Sequence, residues 1–160
     1  MRLAPAQDLT EAELLALARR FAARDKDWRQ LVEHDRQRRR YEELARTDHV
    51  SVWLICWSED QDTGFHDHDL SAGAVAVVAG CVREERLTLG GPPRSRVVTA
   101  GEGFTFSAAD IHRVSHAAGR PAVTIHAYSP PLWRMGAYEL LPDGGLRRHS
   151  LSYAEELRPI

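Results

Sequence analysis

Hydrophobic positions follow two different rhythms along this chain. Leu14, Leu17, Ala18 and Phe21 recur at spacings of three and four, which puts them on one face of a helix. Thr10 and Glu13 stand just ahead in the arrangement of a capping box, where each side chain satisfies an amide of the first turn. A second helical stretch is expected over "DWRQLVEHDRQRRRYEEL", with Trp28, Leu31 and Val32 on one side and charges on the other. Residues 9 to about 46 therefore read as helical. From His49 onward the pattern becomes that of strands. "HVSVWLICW", "GAVAVVAGCV", "REERLTL", "RSRVVTA", "FTFSA", "HRVSH", "AVTIHAYS" and "GAYELL" are short, rich in Val, Thr and aromatics, and divided by Gly or Pro. "GGPP" at 90–93 and "PDGG" at 142–145 predict turns. Many short strands at regular intervals imply a sandwich or small barrel, with the helices packed against it.

Composition narrows this picture a little. With 160 residues, 43% hydrophobic and 28% charged, the chain reads as one domain spanning 1–160. Lys plus Arg is 21 and Asp plus Glu is 23, a formal charge of −2. Such a balance gives no electrostatic reason to expect nucleic acid or an anionic membrane as partner. "RQRRR" at 36–40 is flanked by Glu33, Asp35, Glu42 and Glu43, and reads as a solvated helix face. Cys56 and Cys81 lie in apolar surroundings and read as buried core thiols without a disulfide. No signal-peptide pattern opens the chain, and Ala72 to Val82 is too short and glycine-rich to span a bilayer. The expected location is the cytoplasm.

Chemistry first shows in "TGFHDHDLSAG". Alternate residues of an extended strand share a face, so His66 and His68 point together and Asp67 points away. By itself H-x-H is a weak signal, which two satisfied polar histidines explain as well. Gly64 precedes the pair, Gly80 follows it, and "GEGFTFSAADIHRVSH" carries Gly101, Asp110 and His112. This two-part layout resembles the cupin family, with its glycine-bounded H-x-H motif and a second glycine-led motif reaching one more histidine. The resemblance implies a mainly β, jelly-roll β-barrel in which His112 completes a metal-binding face with His66 and His68. The usual cupin ligand glutamate would fall at Gly73, which cannot bind metal. Glu84 and Glu85 stand outside the motif and read as surface strand residues; Asp67 and Asp110 read as structural.

"LICW", "HDHD", "GCVREE", "DIHRV" and "PAVTIHAYSPPL" together resemble the cysteine dioxygenase family of thiol dioxygenases, over about residues 50–140. That resemblance implies ferrous iron on the three histidines. It also implies a catalytic relay of Thr124, His126 and Tyr128, which alternate along one strand and so share a face. The bland reading makes Tyr128 a core residue and "SPP" a turn. A cis peptide is implied at Ser129–Pro130 or Pro130–Pro131. Some members carry a cysteine at the position of Gly73 that crosslinks to the relay tyrosine; here that crosslink cannot form. For the substrate carboxylate the family commonly uses a "Y-x-R" segment, which is absent. Gapless counting puts Arg40 at the clamp position, and loop allowance puts Tyr41 or Glu43 there; Arg40, Tyr41 and Tyr128 are the substrate-binding candidates.

The implied function is oxidation of a small thiol such as L-cysteine by O2 to a sulfinate, at Fe(2+). Three imidazoles accept nickel, copper and zinc as well. The implied partners are the small thiol and O2, with no obligate protein partner. Two alternatives stand beside this reading. One is a related thiol oxygenase acting on 3-mercaptopropionate or another thiol with a different product. The other is a non-catalytic cupin that binds a metal or small ligand.

Overall fold

The computed structural model describes residues 5–152. One helix, α1 (Glu11–Ala22), opens the fold, and its capping box is present as expected: Thr10 caps the Glu13 amide and Glu13 returns to the Thr10 amide. The second helix does not form. Two single 3-10 turns (Asp25–Asp27 and Arg29–Leu31) lead instead into a strand, β1 (Arg40–Arg46). Trp28, Leu31 and Val32 form one cluster and the next apolar side chains, Tyr41 and Leu44, come only nine residues later, too sparse for a helix to bury a stripe. Trp28 alone of the three is buried, donating its indole N–H to the Phe21 carbonyl at the end of α1 (3.0 Å). Residues 40–46 gain more by pairing antiparallel with the next strand than a solvated helix would offer.

Ten more strands follow: β2 (Ser51–Trp57), β3 (His66–Asp67), β4 (Ala72–Ala79), β5 (Cys81–Thr88), β6 (Gly91–Thr99), β7 (Gly103–Phe106), β8 (His112–His116), β9 (Ala122–Ser129), β10 (Arg134–Leu140) and β11 (Leu146–Ser152). They form two antiparallel sheets in the orders β1-β2-β9-β4-β7 and β11-β10-β3-β8-β5-β6. Turns occur at both expected glycine clusters, although the β5–β6 turn centres on Leu89 and Gly90. Pro92 and Pro93 then lie within β6, which an edge strand tolerates because its outer amides need no partner.

Alternation explains the layers. On β2, Val52, Leu54 and Cys56 face α1, while Trp53, Ile55 and Trp57 face the other sheet. On β9, Val123, Ile125 and Ala127 face α1 and leave Thr124, His126 and Tyr128 for the opposite side. Both strands are buried along their whole length, which is why they read as unbroken apolar runs. The six-stranded sheet has one inward face, carrying Val82, Val98 and Val114. Cys56 is buried as expected, whereas Cys81 is only half-buried; both are free thiols. The Ser129–Pro130 peptide is cis. Among the described residues no helix is long and apolar enough to cross a membrane.

Candidate metal centre

β3 is only two residues long, yet it is clasped from both sides. His66 pairs with His112 of β8 and with Ala137 of β10. This register brings His66, His68 and His112 together, with one ligand atom from each lying within 4.8 Å of the others. All three are buried. The outward ring nitrogens identify the inward ones. His66 Nδ1 lies 3.1 Å from the Gly64 carbonyl oxygen and His112 Nδ1 lies 3.1 Å from Glu84 Oε1, while the Nε2 atoms of His66 and His68 are 3.2 Å apart. Burial, reinforced by the proximity of His112 at His66 and of His66 at His68, pushes both well below the ordinary histidine pKa. Burial lowers His112 too, although Glu84 opposes it. Three neutral imidazoles with converging lone pairs are the donor set a divalent first-row metal takes.

Asp67, on the opposite side of β3, holds the segment in place. Arg148 of β11 grips it with two nitrogens at 2.7 and 2.9 Å, the Tyr138 hydroxyl donates at 2.6 Å and the Gly136 amide at 3.0 Å. Burial raises its pKa, but those donors outweigh it and hold the carboxyl well below the usual range. Asp110 is likewise structural, accepting from the Ser107 amide (2.7 Å) and Arg86 (3.2 Å).

At Gly73, which pairs with both Phe106 and Tyr128, an added Cβ would overlap the Phe106 ring. That ring stacks on His68 at 4.3 Å and tilts against His112 at 4.5 Å between centroids. Phe106 therefore occupies the space that a side chain at 73 would claim.

His126 and Tyr128 of β9 face the histidines across a narrow cavity of about 30 Å³, with Thr124 next in their row. Thr124 Oγ1 lies 2.8 Å from His126 Nε2, and His126 Nδ1 lies 3.0 Å from the Tyr128 hydroxyl. The Trp57 indole N–H donates to Thr124 Oγ1 at 2.9 Å. The threonine proton has two candidate acceptors, and His126 at 2.8 Å is nearer than the Ile55 carbonyl at 3.4 Å. The Trp57 donation is the fixed point of this row, and the directions from Thr124 to Tyr128 follow the His126 tautomer. Burial, then the proximity of His112, holds His126 at about 3, so it is neutral at physiological pH.

The clamp candidates land differently from expectation. Arg40 points to solvent and pairs with Glu33 at 2.6 Å, away from the cavity. Glu43 pairs with Arg46, and Tyr41 packs its ring on Trp53 with 6.0 Å between centroids. The neighbour, Arg39, lines the cavity instead. It is buried, lies over the Trp57 ring at 5.1 Å and donates to the Asp62 carbonyl at 2.9 Å. One step along an extended chain reverses the face, so an error of one residue in counting exchanges a cavity residue for a solvated one. "RQRRR" is thus not a helix face, and one of its arginines is interior. Glu84 was misplaced as well: it is 2% exposed. Its period-two phase with buried Val82 was the available signal.

A family model described as cysteine dioxygenase type I matches residues 4–140. No curated protein matches the chain. Among solved structures, it is similar to a cupin superfamily protein from Desulfitobacterium hafniense DCB-2, at 11% identity and TM-score 0.55, covering 64% of this chain and 87% of that one. It is also similar to a protein with a double-stranded β-helix domain from Klebsiella pneumoniae, at 12% identity and TM-score 0.56, covering 75% and 91%. An oxalate oxidase in complex with glycolate is similar at 19% identity and TM-score 0.51, covering 59% and 52%. These likenesses establish the cupin fold.

Proposed function

The chain belongs to the cysteine dioxygenase type I family, and on that premise we propose that it is a mononuclear iron thiol dioxygenase. It adds both atoms of O2 to the sulfur of a small thiol, RSH + O2 → RSO2H, with L-cysteine as the first candidate substrate. The observation that carries this reading is the facing of three converging histidines by Tyr128 and His126 across one cavity, with Thr124 hydrogen-bonded behind them. His66, His68 and His112 would hold the metal through Nε2. A ferrous ion there would supply the redox centre at which thiolate and dioxygen meet.

The protein's own groups divide the remaining work. Tyr128, held by His126, presents a phenol O–H to whatever sits at the histidines and orients it. Trp57 and Thr124 hold the His126 ring in place behind it. Arg39 offers a guanidinium to a substrate carboxylate, and the Trp57 face beneath keeps that group from swinging away. The cavity lining contains no acidic side chain, so a substrate ammonium group finds no counter-charge among these residues. Ile55, Val114, Leu132 and Met135 complete an apolar surround that limits water. The cavity has room for only a few waters.

The test is oxygen uptake by anaerobically iron-loaded protein with cysteine, 3-mercaptopropionate or cysteamine, and products identified by mass. Thiol-dependent uptake with a product two oxygens heavier is expected, with the carboxylate-bearing thiols preferred over cysteamine. Arg39→Ala should raise KM for those acids, while Arg40→Ala should leave it unchanged. No uptake with any thiol despite bound iron overturns the reading.

A further inference from the structure

Each histidine of the centre has a different support behind its outward nitrogen. His66 meets a backbone carbonyl, and His68 Nδ1 is buried with no hydrogen-bond partner. His112 meets a carboxylate, Glu84, itself 2% exposed. A buried carboxylate is costly unless it is paired, and here both oxygens are paired. Arg86 Nη2 donates to Oε1 at 2.7 Å and Arg96 Nε donates to Oε2 at 2.6 Å. The two arginines are held in turn. Arg86 reaches Asp110 and the Thr105 carbonyl, and the Arg96 guanidinium lies over Phe104 at 5.1 Å. Packing alone does not ask for this. Val82 and Val98 occupy the corresponding inward positions one step along β5 and β6, and Val114 sits across from Glu84 on β8.

We infer that Glu84 is a positioning residue for the metal centre: it fixes the proton of His112 on Nδ1, aims Nε2 inward, and returns a negative charge to the site from behind a ligand. The carboxylate that Gly73 cannot supply as a direct ligand is thereby supplied one residue removed. Three imidazoles alone form a neutral donor set. A carboxylate hydrogen-bonded to one of them makes that imidazole a stronger donor and tightens the metal, with an expected effect of roughly 10–100-fold in affinity. His112 is thus the strongest of the three donors and His68, with nothing behind it, the weakest. The inference rests on the metal reading above, and its test needs no turnover.

Affinity for Zn(2+) and Co(2+) is measured by chelator competition on the wild-type protein, Glu84→Gln and Glu84→Asp, with circular dichroism of the metal-free forms. Glu84→Gln should weaken binding about 10–100-fold and shift the visible spectrum of the cobalt form. Glu84→Asp, which keeps the charge, should recover part of the affinity. Equal affinity and spectrum in Glu84→Gln and wild type overturns the inference and makes Glu84 a structural ion in the core. A wild type that binds neither metal overturns the metal reading itself, a separate failure. Should Glu84→Gln not fold, nitrogen-15 NMR of the metal-free wild type decides: a neutral His112 protonated on Nδ1 is expected, and a proton on Nε2 overturns the inference.

Discussion

The two walls of the cavity are supported by opposite means. Behind the histidines, on the six-stranded sheet, stand ions: Glu84 with Arg86 and Arg96, and Asp67 with Arg148. Behind the relay, on the five-stranded sheet, every link is neutral, from the Trp57 indole through Thr124 and His126 to Tyr128. Position in the sheets explains the difference. β9 lies between β2 and β4 with both faces covered, so no charged head could reach water from it. β5 neighbours the edge strand β6, and Arg96 and Arg148 each touch solvent while gripping a buried carboxylate. A wall that must hold a cation benefits from rigid negative charge behind its ligands. The neutral, water-poor setting of the other wall keeps His126 uncharged.

The strongest way to break this comparison is to remove one group from each wall. His112→Ala should abolish tight metal binding and reduce thiol oxidation to background. Tyr128→Phe should keep the metal and lower kcat by about 10²–10⁴-fold. Metal titration beside oxygen uptake separates the two, and loss of metal from Tyr128→Phe would show that the walls are not independent.

A smaller effect is expected at the seam between them. Gly73→Cys should cost about 1–3 kcal/mol, the usual penalty of overpacking, because its Cβ meets the Phe106 ring. Adding Phe106→Leu in the same chain should recover part of that loss in urea denaturation. Full stability of Gly73→Cys alone would mean that Phe106 yields freely and does not define the space beside His68.

The gentlest probe is pH. In the folded, metal-free protein His126 sits at about 3 and Glu84 at about 2, and His66, His68 and Asp67 are also lowered. Burial alone would raise Glu84, but the hydrogen bonds from His112 and Arg86 outweigh it. In every case the unfolded chain takes up the proton first, so stability falls as pH falls. The histidine share should begin to disappear below about pH 6.5, and the carboxylate share below about 4.5, continuing toward the folded values. Denaturation midpoints across this range should decline in two stages. Asp67→Asn should be less stable than wild type at pH 7 and flatter below about 4.5; an unchanged slope would exclude Asp67 as a contributor.

Much of the fold and site was legible where local chemistry and tertiary demand agree. The Thr10–Glu13 box announces α1 because both halves of the cap lie within four residues. The period-two alternation of His66 with His68, and of Thr124, His126 and Tyr128, survives because each run truly lies in a strand or extended segment. Residues 27–46 were misread because charged residues with good helical propensity carry little signal of their own. What decides their state is the open edge of β2. β11 escaped for the same reason: "LRRHSLS" has almost no apolar pattern, and it is a strand because β10 offers it a partner.

The amino-acid sequence by itself determined that His66 shares a face with His68, and Thr124 with His126 and Tyr128, because spacing along an extended segment sets which side chains point together. It determined, too, that position 73 supplies neither a ligand nor a crosslink. Only the tertiary structure decided which arginine enters the cavity, that a glutamate from β5 stands behind His112, and that Phe106 fills the place beside Gly73. Those outcomes depend on register between strands far apart in the chain. A shift of one residue there turns a side chain from water to the interior, and no local pattern records it.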